Sequence, residues 1–416
     1  MTGKTKTIII SITGLLIVLL ISLIALKKCG KSKFEKGLEA IENQNYKVAV
    51  KYFSEIIEKD NTNVGAFLNR GIAYIGNNEY DNAISDLETV LKQDQTLDKA
   101  NFYMGQALRG KEEYKRAIRY FTYAIDSNPD YADAYYFRGI CKANLMDFEG
   151  SVEDYNKSNE LGHVDLEAYY KSAESKENLQ DWAGLIGDYN KILEMDPSNF
   201  TAFYNRGRFK LLLKDHEGAL ADFNSAINLD PKNSASYYRR GITQSHLGKL
   251  DEALNDYNKT LELTDTIPKV YYNRGLTYLH LQDYTNAFND LTKYNTFVDD
   301  VKTHYSLGVV LALQEKYEES IVEFDKALKL DDTDYESYFS RGISNGILER
   351  HTEAIIDFTR CLDQKPDYSE ALIQRGISKL NVEDAEGGCE DFVKAKELGN
   401  KEALKMIDRY CDLYIK

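Results

Sequence analysis

The chain has 416 residues, 43% of them apolar and 29% charged, with 52 lysines and arginines against 67 aspartates and glutamates. A formal net charge of −15 excludes a surface built to neutralise a phosphate backbone. Five scattered cysteines, an odd number with no C-x-x-C, exclude a zinc or dithiol framework.

Residues 1–7 form a short tail carrying Lys4 and Lys6. From Ile8 to Leu26 no residue is charged, and such a run is about 28 Å long as a helix, enough to cross a hydrocarbon core. It reads as one transmembrane helix over 8–26. A cleaved signal peptide has a shorter apolar run and small residues before the cut, whereas Ala25 is followed by Leu26, Lys27, Lys28 and Cys29. The same two lysines stand where a lipidation site carries small residues. Lys27, Lys28, Lys31, Lys33 and Lys36 make the C-terminal flank the more basic one, which favours a cytoplasmic array, while Lys4, Lys6 and the free amine pull the other way. The expected location is the cell membrane, single-pass, with the array cytoplasmic and an extracytoplasmic array left open. Beyond residue 36 the chain holds 45 basic and 66 acidic residues, a charge of −21, which favours basic or neutral partners.

Gly71, Gly105, Gly139, Gly207, Gly241, Gly275, Gly308, Gly342 and Gly376 recur at 34 residues or a multiple of it, apart from one step of 33. A fixed period of this length means one supersecondary unit copied and stacked, each copy burying its neighbour's apolar face. Taking the glycine as position 8 gives eleven repeats over 30–402, starting at Gly30, Val64, Asp98, Ala132, Leu166, Phe200, Ser234, Pro268, Val301, Tyr335 and Ser369. Each reads as two short helices. In the repeat from 200, Phe203, Tyr204, Leu211, Leu212 and Leu213 fill the first, and Ala219, Phe223, Ala226 and Ile227 return at helical spacing in the second. Pro129, Pro197, Pro231 and Pro366 all fall at position 32, where a missing N–H ends a helix, and Pro268 lies just beyond the same joint. Gly at position 8 and Ala at position 20 (Ala49, Ala83, Ala117, Ala219, Ala253, Ala287, Ala354) let two helices approach, and an aromatic at position 24 fills the wider gap beside them.

Seven repeats carry Arg at position 7 (Arg70, Arg138, Arg206, Arg240, Arg274, Arg341, Arg375). All seven carry Asp sixteen residues later (Asp86, Asp154, Asp222, Asp256, Asp290, Asp357, Asp391). Of the other four, the repeats at 30 and 98 have Tyr52 and Tyr120 at that place, the one at 301 has Glu323, and only the one at 166 keeps Asp188. The matching predicts structural ion pairs between the two helices of one repeat. The repeat at 166 departs most, with Ser172 for Arg, Ala173 for Gly, Leu185 for the small residue, and the single tryptophan, Trp182. At the C-terminus, Gly399 and Asn400 stop a helix and residues 403–416 read as a capping helix; Gly162 makes a similar stop after the repeat at 132. Cys389 and Cys411 lie in the last repeat and its cap, close enough to pair in an oxidising compartment.

The pattern, roughly Y-Y-x-R-G early and A-x-x-D-F/Y later in each repeat, resembles the tetratricopeptide repeat family in its bacterial, membrane-anchored variety. The resemblance implies an all-α, right-handed superhelical solenoid of about eleven helix-turn-helix units, here preceded by one transmembrane helix. It also implies that first helices line a concave groove through positions 2, 5, 9, 12 and 13. Position 5 is nearly always aromatic: Phe102, Tyr136, Tyr170, Tyr204, Tyr238, Tyr272, Tyr305 and Phe339 form a ladder that offers ring faces to a peptide or braces neighbouring helices. The carboxylate clamp known in the family is incomplete: Asn205 and Arg239 match, whereas Tyr170, Glu174 and Ala235 stand where its other residues belong.

No catalytic motif is present, and no cofactor or metal is expected; His246 and His280 share position 13, but two imidazoles do not make a metal site. The expected function is a non-catalytic, membrane-tethered scaffold binding protein or peptide partners in its groove. The alternative is a structural or cell-envelope assembly protein that uses its outer surface or self-association.

Overall fold

The computed structural model describes residues 31–163, 165–264 and 266–411. The expected tail and transmembrane run, 1–7 and 8–26, lie outside the described residues, as does the end of the capping segment from 412. Among the described residues there are 23 α-helices and no strand, and no helix is long and apolar enough to cross a membrane. The chain divides into two compact bodies between Pro197 and Ser198. That division falls at the end of the repeat that departs most from the pattern.

The first body holds α1 (Lys33–Glu42), α2 (Tyr46–Ile57), α3 (Val64–Gly76), α4 (Tyr80–Gln93), α5 (Asp98–Gly110), α6 (Tyr114–Ser127), α7 (Ala132–Asn144), α8 (Phe148–Glu160), α9 (Leu166–Asn178) and α10 (Trp182–Met195). The second holds α11 (Phe200–Leu212), α12 (His216–Leu229), α13 (Ser234–His246), α14 (Leu250–Leu263), α15 (Lys269–His280), α16 (Tyr284–Asn295), α17 (Val301–Leu313), α18 (Tyr317–Leu330), α19 (Tyr335–Ile347), α20 (His351–Gln364), α21 (Ser369–Asn381), α22 (Ala385–Glu397) and α23 (Lys401–Tyr410). Within each body every repeat is a pair of helices in contact, and its second helix also packs on the first helix of the next repeat.

Asx caps and a left-handed residue write the turns. Position 15 adopts positive φ in every repeat, as Gln44, Asn78, Glu112, Met146, Gln180, Lys214, Gly248, Gln282, Glu315, Glu349 and Glu383. Asp147, Asp181, Asp215, Asp283 and Asp384 then cap the second helix, and Asn63, Asp165, Asn199, Asn233, Asp300 and Asp334 cap the first. Gly162 and Gly399, at φ 97° and 86°, end α8 and α22 where proline is missing.

The position-8 glycines lie under the side chain at position 24. A Cβ on Gly105, Gly241, Gly308, Gly342 or Gly376 would come within 2.6–2.8 Å of Phe121, Tyr257, Phe324, Phe358 or Phe392. Those five rings are buried, and with the alanines at position 20 they form the seam of each pair.

Each arginine at position 7 joins neighbouring helices. Its Nε and Nη2 donate to the two oxygens of the Asp sixteen residues on, at 2.6–3.2 Å in all seven repeats. In six of them Nη1 also reaches back sixteen residues to position 25 of the preceding repeat: Ser54, Thr122, Asn224, Asn258, Asp325 or Thr359. The guanidinium also sits over the ring at position 4 in six repeats, for example 5.3 Å from Tyr135. Lys142, Lys210 and Lys379 add a second cation to Asp154, Asp222 and Asp391. Where the repeat at 166 has Ser172 for Arg, buried Lys176 takes both oxygens of Asp188 at 2.8 Å. At 301, buried His304 faces Glu323 and Asp299, 2.6 Å from each ring nitrogen.

The C-terminal end is closed by α23, which buries Ala403, and by a disulfide between Cys389 and Cys411, both buried. Cys141 and Cys361 are free and buried, and burial pushes their thiols up to about 12 and about 11.

Two stability differences are expected from this packing. Arg240→Ala strands Asp256, which is 4% exposed and has no lysine beside it, at a cost of about 3–5 kcal/mol. Arg206→Ala leaves Lys210 at 2.9 Å from Asp222 and should cost less; equal shifts in denaturant midpoint would exclude a share for the lysine. Gly308→Ala forces the buried Phe324 ring to move from 2.6 Å and should cost about 1–3 kcal/mol. Gly275→Ala meets the Leu291 branch at 3.1 Å and Asp290 Cβ at 3.3 Å and should be the milder change by thermal unfolding.

Candidate interaction groove

The eight rings at position 5 are placed as braces. Phe102, Tyr136 and Tyr238 are buried, and Tyr170, Tyr204, Tyr272, Tyr305 and Phe339 are half-buried. Seven of the eight meet the ring at position 24 of their own repeat, as Phe102–Phe121, Tyr136–Tyr155, Tyr170–Tyr189, Tyr204–Phe223, Tyr238–Tyr257, Tyr305–Phe324 and Phe339–Phe358, with centroids 5.8–6.3 Å apart. Tyr272 instead meets Tyr294 at 5.1 Å, because position 24 of its repeat is Leu291. Some reach further: Phe102 stacks on Tyr131 and Phe339 leans on Tyr368, each the last residue of its repeat beside the next first helix, and the Tyr238 hydroxyl accepts from Asn273 of the following repeat at 3.0 Å. Burial pushes the Tyr136 phenol up to about 12 and raises those of Tyr238 and Tyr305.

With position 5 engaged in packing, the accessible face of the first helices is made by positions 9, 12 and 13 together with position 2, where Lys302, Glu336 and Glu370 are exposed. In the second body position 9 is Ile242, Leu276, Val309, Ile343 and Ile377 in five successive repeats. A cavity of about 320 Å³ between α17 and α19 is lined by Val309, Ala312, Leu313, Ile343 and Ile347. A second, of about 210 Å³, shares Ile343 and Ile347 and continues to Ile377 on α21. Together they make one apolar trough across three repeats, and Leu313 and Ile347, 48% and 52% exposed, stand open at its edge. The floor is polar but satisfied in part: the Ser320 and Ser344 hydroxyls bond each other at 2.9 Å.

Toward the start of the second body histidine and asparagine side chains join the aliphatic lining. His246 and His280 border a cavity of about 230 Å³ with Ile242, Asn273 and Leu276. His246 stacks on His216 at 4.9 Å, and burial first, then His216, lowers its pKa below the ordinary imidazole value. Among the described residues no group of three His, Cys, Asp or Glu side chains could hold a metal ion. Of the clamp-like residues, Asn205 accepts from Arg208 at 3.0 Å, and Arg239 lies over the Tyr238 ring. In the first body the corresponding cavity, about 150 Å³, is lined by Asn144, Lys171, Glu174 and Ser175 beside Ile140 and Ala143. The most apolar lining of these cavities is that between α17 and α19. Its sequence signal is the run of aliphatic residues one place beyond Gly241, Gly275, Gly308, Gly342 and Gly376, which the aromatic ladder overshadows.

Family models described as tetratricopeptide repeat match residues 34–100, 102–158, 170–234, 223–255 and 301–334, and one described as TPR repeat matches 246–282. No curated protein matches the chain. Among solved structures, YrrB, described as a TPR protein with an unusual peptide-binding site, is 23% identical over 45% of this chain and 97% of its own, with a TM-score of 0.40. A tetratricopeptide repeat protein from Parabacteroides merdae is 22% identical over 60% of this chain and 99% of its own, at 0.45. Yeast Tom70 is 15% identical over 90% and 93%, at 0.38. The family matches between residues 34 and 334, laid on helix pairs that repeat with the glycine period, establish that the chain belongs to the tetratricopeptide repeat family.

Proposed function

We propose that the chain is a membrane-tethered, non-catalytic scaffold that holds a protein partner through an apolar segment laid in the trough of α17, α19 and α21. The observation that carries this reading is the continuity of the two cavities around Ile343 and Ile347, with apolar side chains left open to solvent at their edge. A run of exposed aliphatic surface on a helical scaffold suits an amphipathic or extended segment whose apolar side chains drop into successive cavities. The uncharged run over 8–26 supports tethering, which raises the local concentration of whatever the scaffold holds.

The lysine balance around residues 8–26 favours a cytoplasmic array, but the Cys389–Cys411 disulfide supports an oxidising compartment, and we give it the greater weight. Bonds of this kind, here closing a 22-residue separation, are rare where thiols are kept reduced.

Peptides selected from a displayed library on the detergent-solubilised full chain should be rich in aliphatic residues. They should lose binding to a Leu313→Glu, Ile347→Glu double variant, whose two sites are open enough for the fold to survive. Unchanged binding would remove the trough. By contrast, Tyr204→Ala, Tyr238→Ala and Tyr272→Ala together should lower thermal stability, because they remove braces. For the compartment, acid-quenched cells alkylated under denaturing conditions should show Cys141 and Cys361 reactive at once, and Cys389 and Cys411 only after reduction. All four reacting without reductant would set the array in a reducing compartment.

A further inference from the structure

The repeat starting at Asp98 breaks the arginine clasp at every place at once. Position 4, an aromatic ring beneath the guanidinium in six repeats, is Asn101; position 7, the arginine, is Met104; position 23, the aspartate, is Tyr120. Met104 turns into the core and is 1% exposed. What stands where the clasp would be is a cavity of about 620 Å³ between α4 and α6, lined by Glu88, Leu91, Asn101, Tyr120, Tyr123 and Asp126 among others.

Three of those side chains form the outline of a missing guanidinium. Glu88 is position 25 of the preceding repeat, the place whose side chain accepts Nη1 of the arginine in six other repeats. In the repeat at 335 that acceptor is also an acid, Asp325, and it pairs with Arg341. Glu88 has no ion-pair or hydrogen-bond partner among the described residues. Asn101, 1% exposed, donates through Nδ2 to the carbonyls of Gln95 and Leu97, so its Oδ1 is the acceptor left for the cavity. Tyr120 and Tyr123 stand edge to face at 5.8 Å and supply ring faces of the kind that the guanidinium covers elsewhere in this chain. Lys92 and Arg119 carry the positive charge of this neighbourhood on exposed, flexible stems, Arg119 beside the Tyr123 hydroxyl.

We propose that this cavity receives an arginine side chain from a partner polypeptide, the guanidinium taking the place that the chain's own arginine holds in the other repeats. A planar donor fork suits one carboxylate, one amide oxygen and a ring face at once, which an ammonium does not. The volume leaves room for the arginine and the backbone that carries it. This site lies on α4–α6 of the first body and stands independently of the apolar trough on α17–α21.

The test uses the detergent-solubilised full chain and three short probes, acetyl-Gly-Arg-Gly-amide and its lysine and citrulline counterparts, read by saturation-transfer NMR. The arginine probe should bind saturably, and the citrulline probe, which keeps the shape without the charge, should bind at least about tenfold more weakly, as should the lysine probe. Glu88→Gln, at an exposed position that carries no packing, should impose a loss of the same order on the arginine probe. Restoring the clasp with Asn101→Tyr, Met104→Arg and Tyr120→Asp should fill the cavity, abolish binding and leave the melting temperature no lower than before. If that variant fails to fold, Glu88→Gln alone decides. No saturable binding, equal binding of the citrulline probe, or full binding by Glu88→Gln would each overturn the proposal. The Leu313→Glu, Ile347→Glu variant should bind the arginine probe normally, which separates failure here from failure of the trough.

Discussion

The contact between the glycine at position 8 and the side chain at position 24 sets the rest of the architecture. With no Cβ in the way, a ring such as Phe324 slides over Gly308, and the two helices of the repeat close on one another. The ring so placed becomes the surface on which the position-5 ring leans, as Tyr305 does on Phe324 at 6.0 Å. Once positions 5, 8, 20 and 24 are committed to that stack, the first helix offers outward its positions 2, 9, 12 and 13. Packing between helices thus decides which residues are available for recognition.

The guanidinium clasp then joins one pair to the next. Arg240 holds Asp256 on its own second helix and Asn224 on the previous one, so a single side chain fixes three helices. A charge this buried is tolerable because each oxygen of the aspartate is paired and the guanidinium lies over the Tyr237 ring. Three of the four departures show how tightly the parts depend on each other. Losing Arg at 172 is met by Lys176 moving onto Asp188; losing it at 307 is met by His304 between two carboxylates; losing it at 104 is met by nothing, and the aspartate goes too. An orphaned buried carboxylate costs too much to keep, which accounts for Tyr120 standing where the acid would be.

Much of this was legible because period and packing share one register. The spacing of sixteen between Arg70 and Asp86 equals the step from the middle of one helix to the facing turn of the next, so arithmetic alone pairs them. The backward reach to Ser54 uses the same sixteen in the other direction and hid among neutral residues, since Ser, Thr and Asn at position 25 accept as well as an acid but do not covary in charge. The turns hid for a related reason: position 15 is left-handed in ten repeats without glycine, leaving the Asp that follows as the local sign. The aromatic ladder was visible but its direction was not, because a tyrosine that braces a neighbour and one that faces a ligand leave the same letter at the same interval. Exposure at Leu313 and Ile347 depends on what the next repeat places beside them, and no single repeat encodes that.

Residues that recur in this chain serve the array, so its particular business must lie in residues that do not recur. Gly at 8, Arg at 7 and Asp at 23 occur in repeats that border the apolar trough, as at 335 and 369, and equally in repeats that do not, as at 64 and 234. What differs is Val309, Leu313 and Ile347 in one body and Asn101, Met104 and Tyr120 in the other. The first set changes outward positions that packing leaves free, and it costs the fold nothing. The second gives up an ion pair that seven other repeats keep, and a scaffold that surrenders buried electrostatic order at one place gains there a cavity shaped by what it omits.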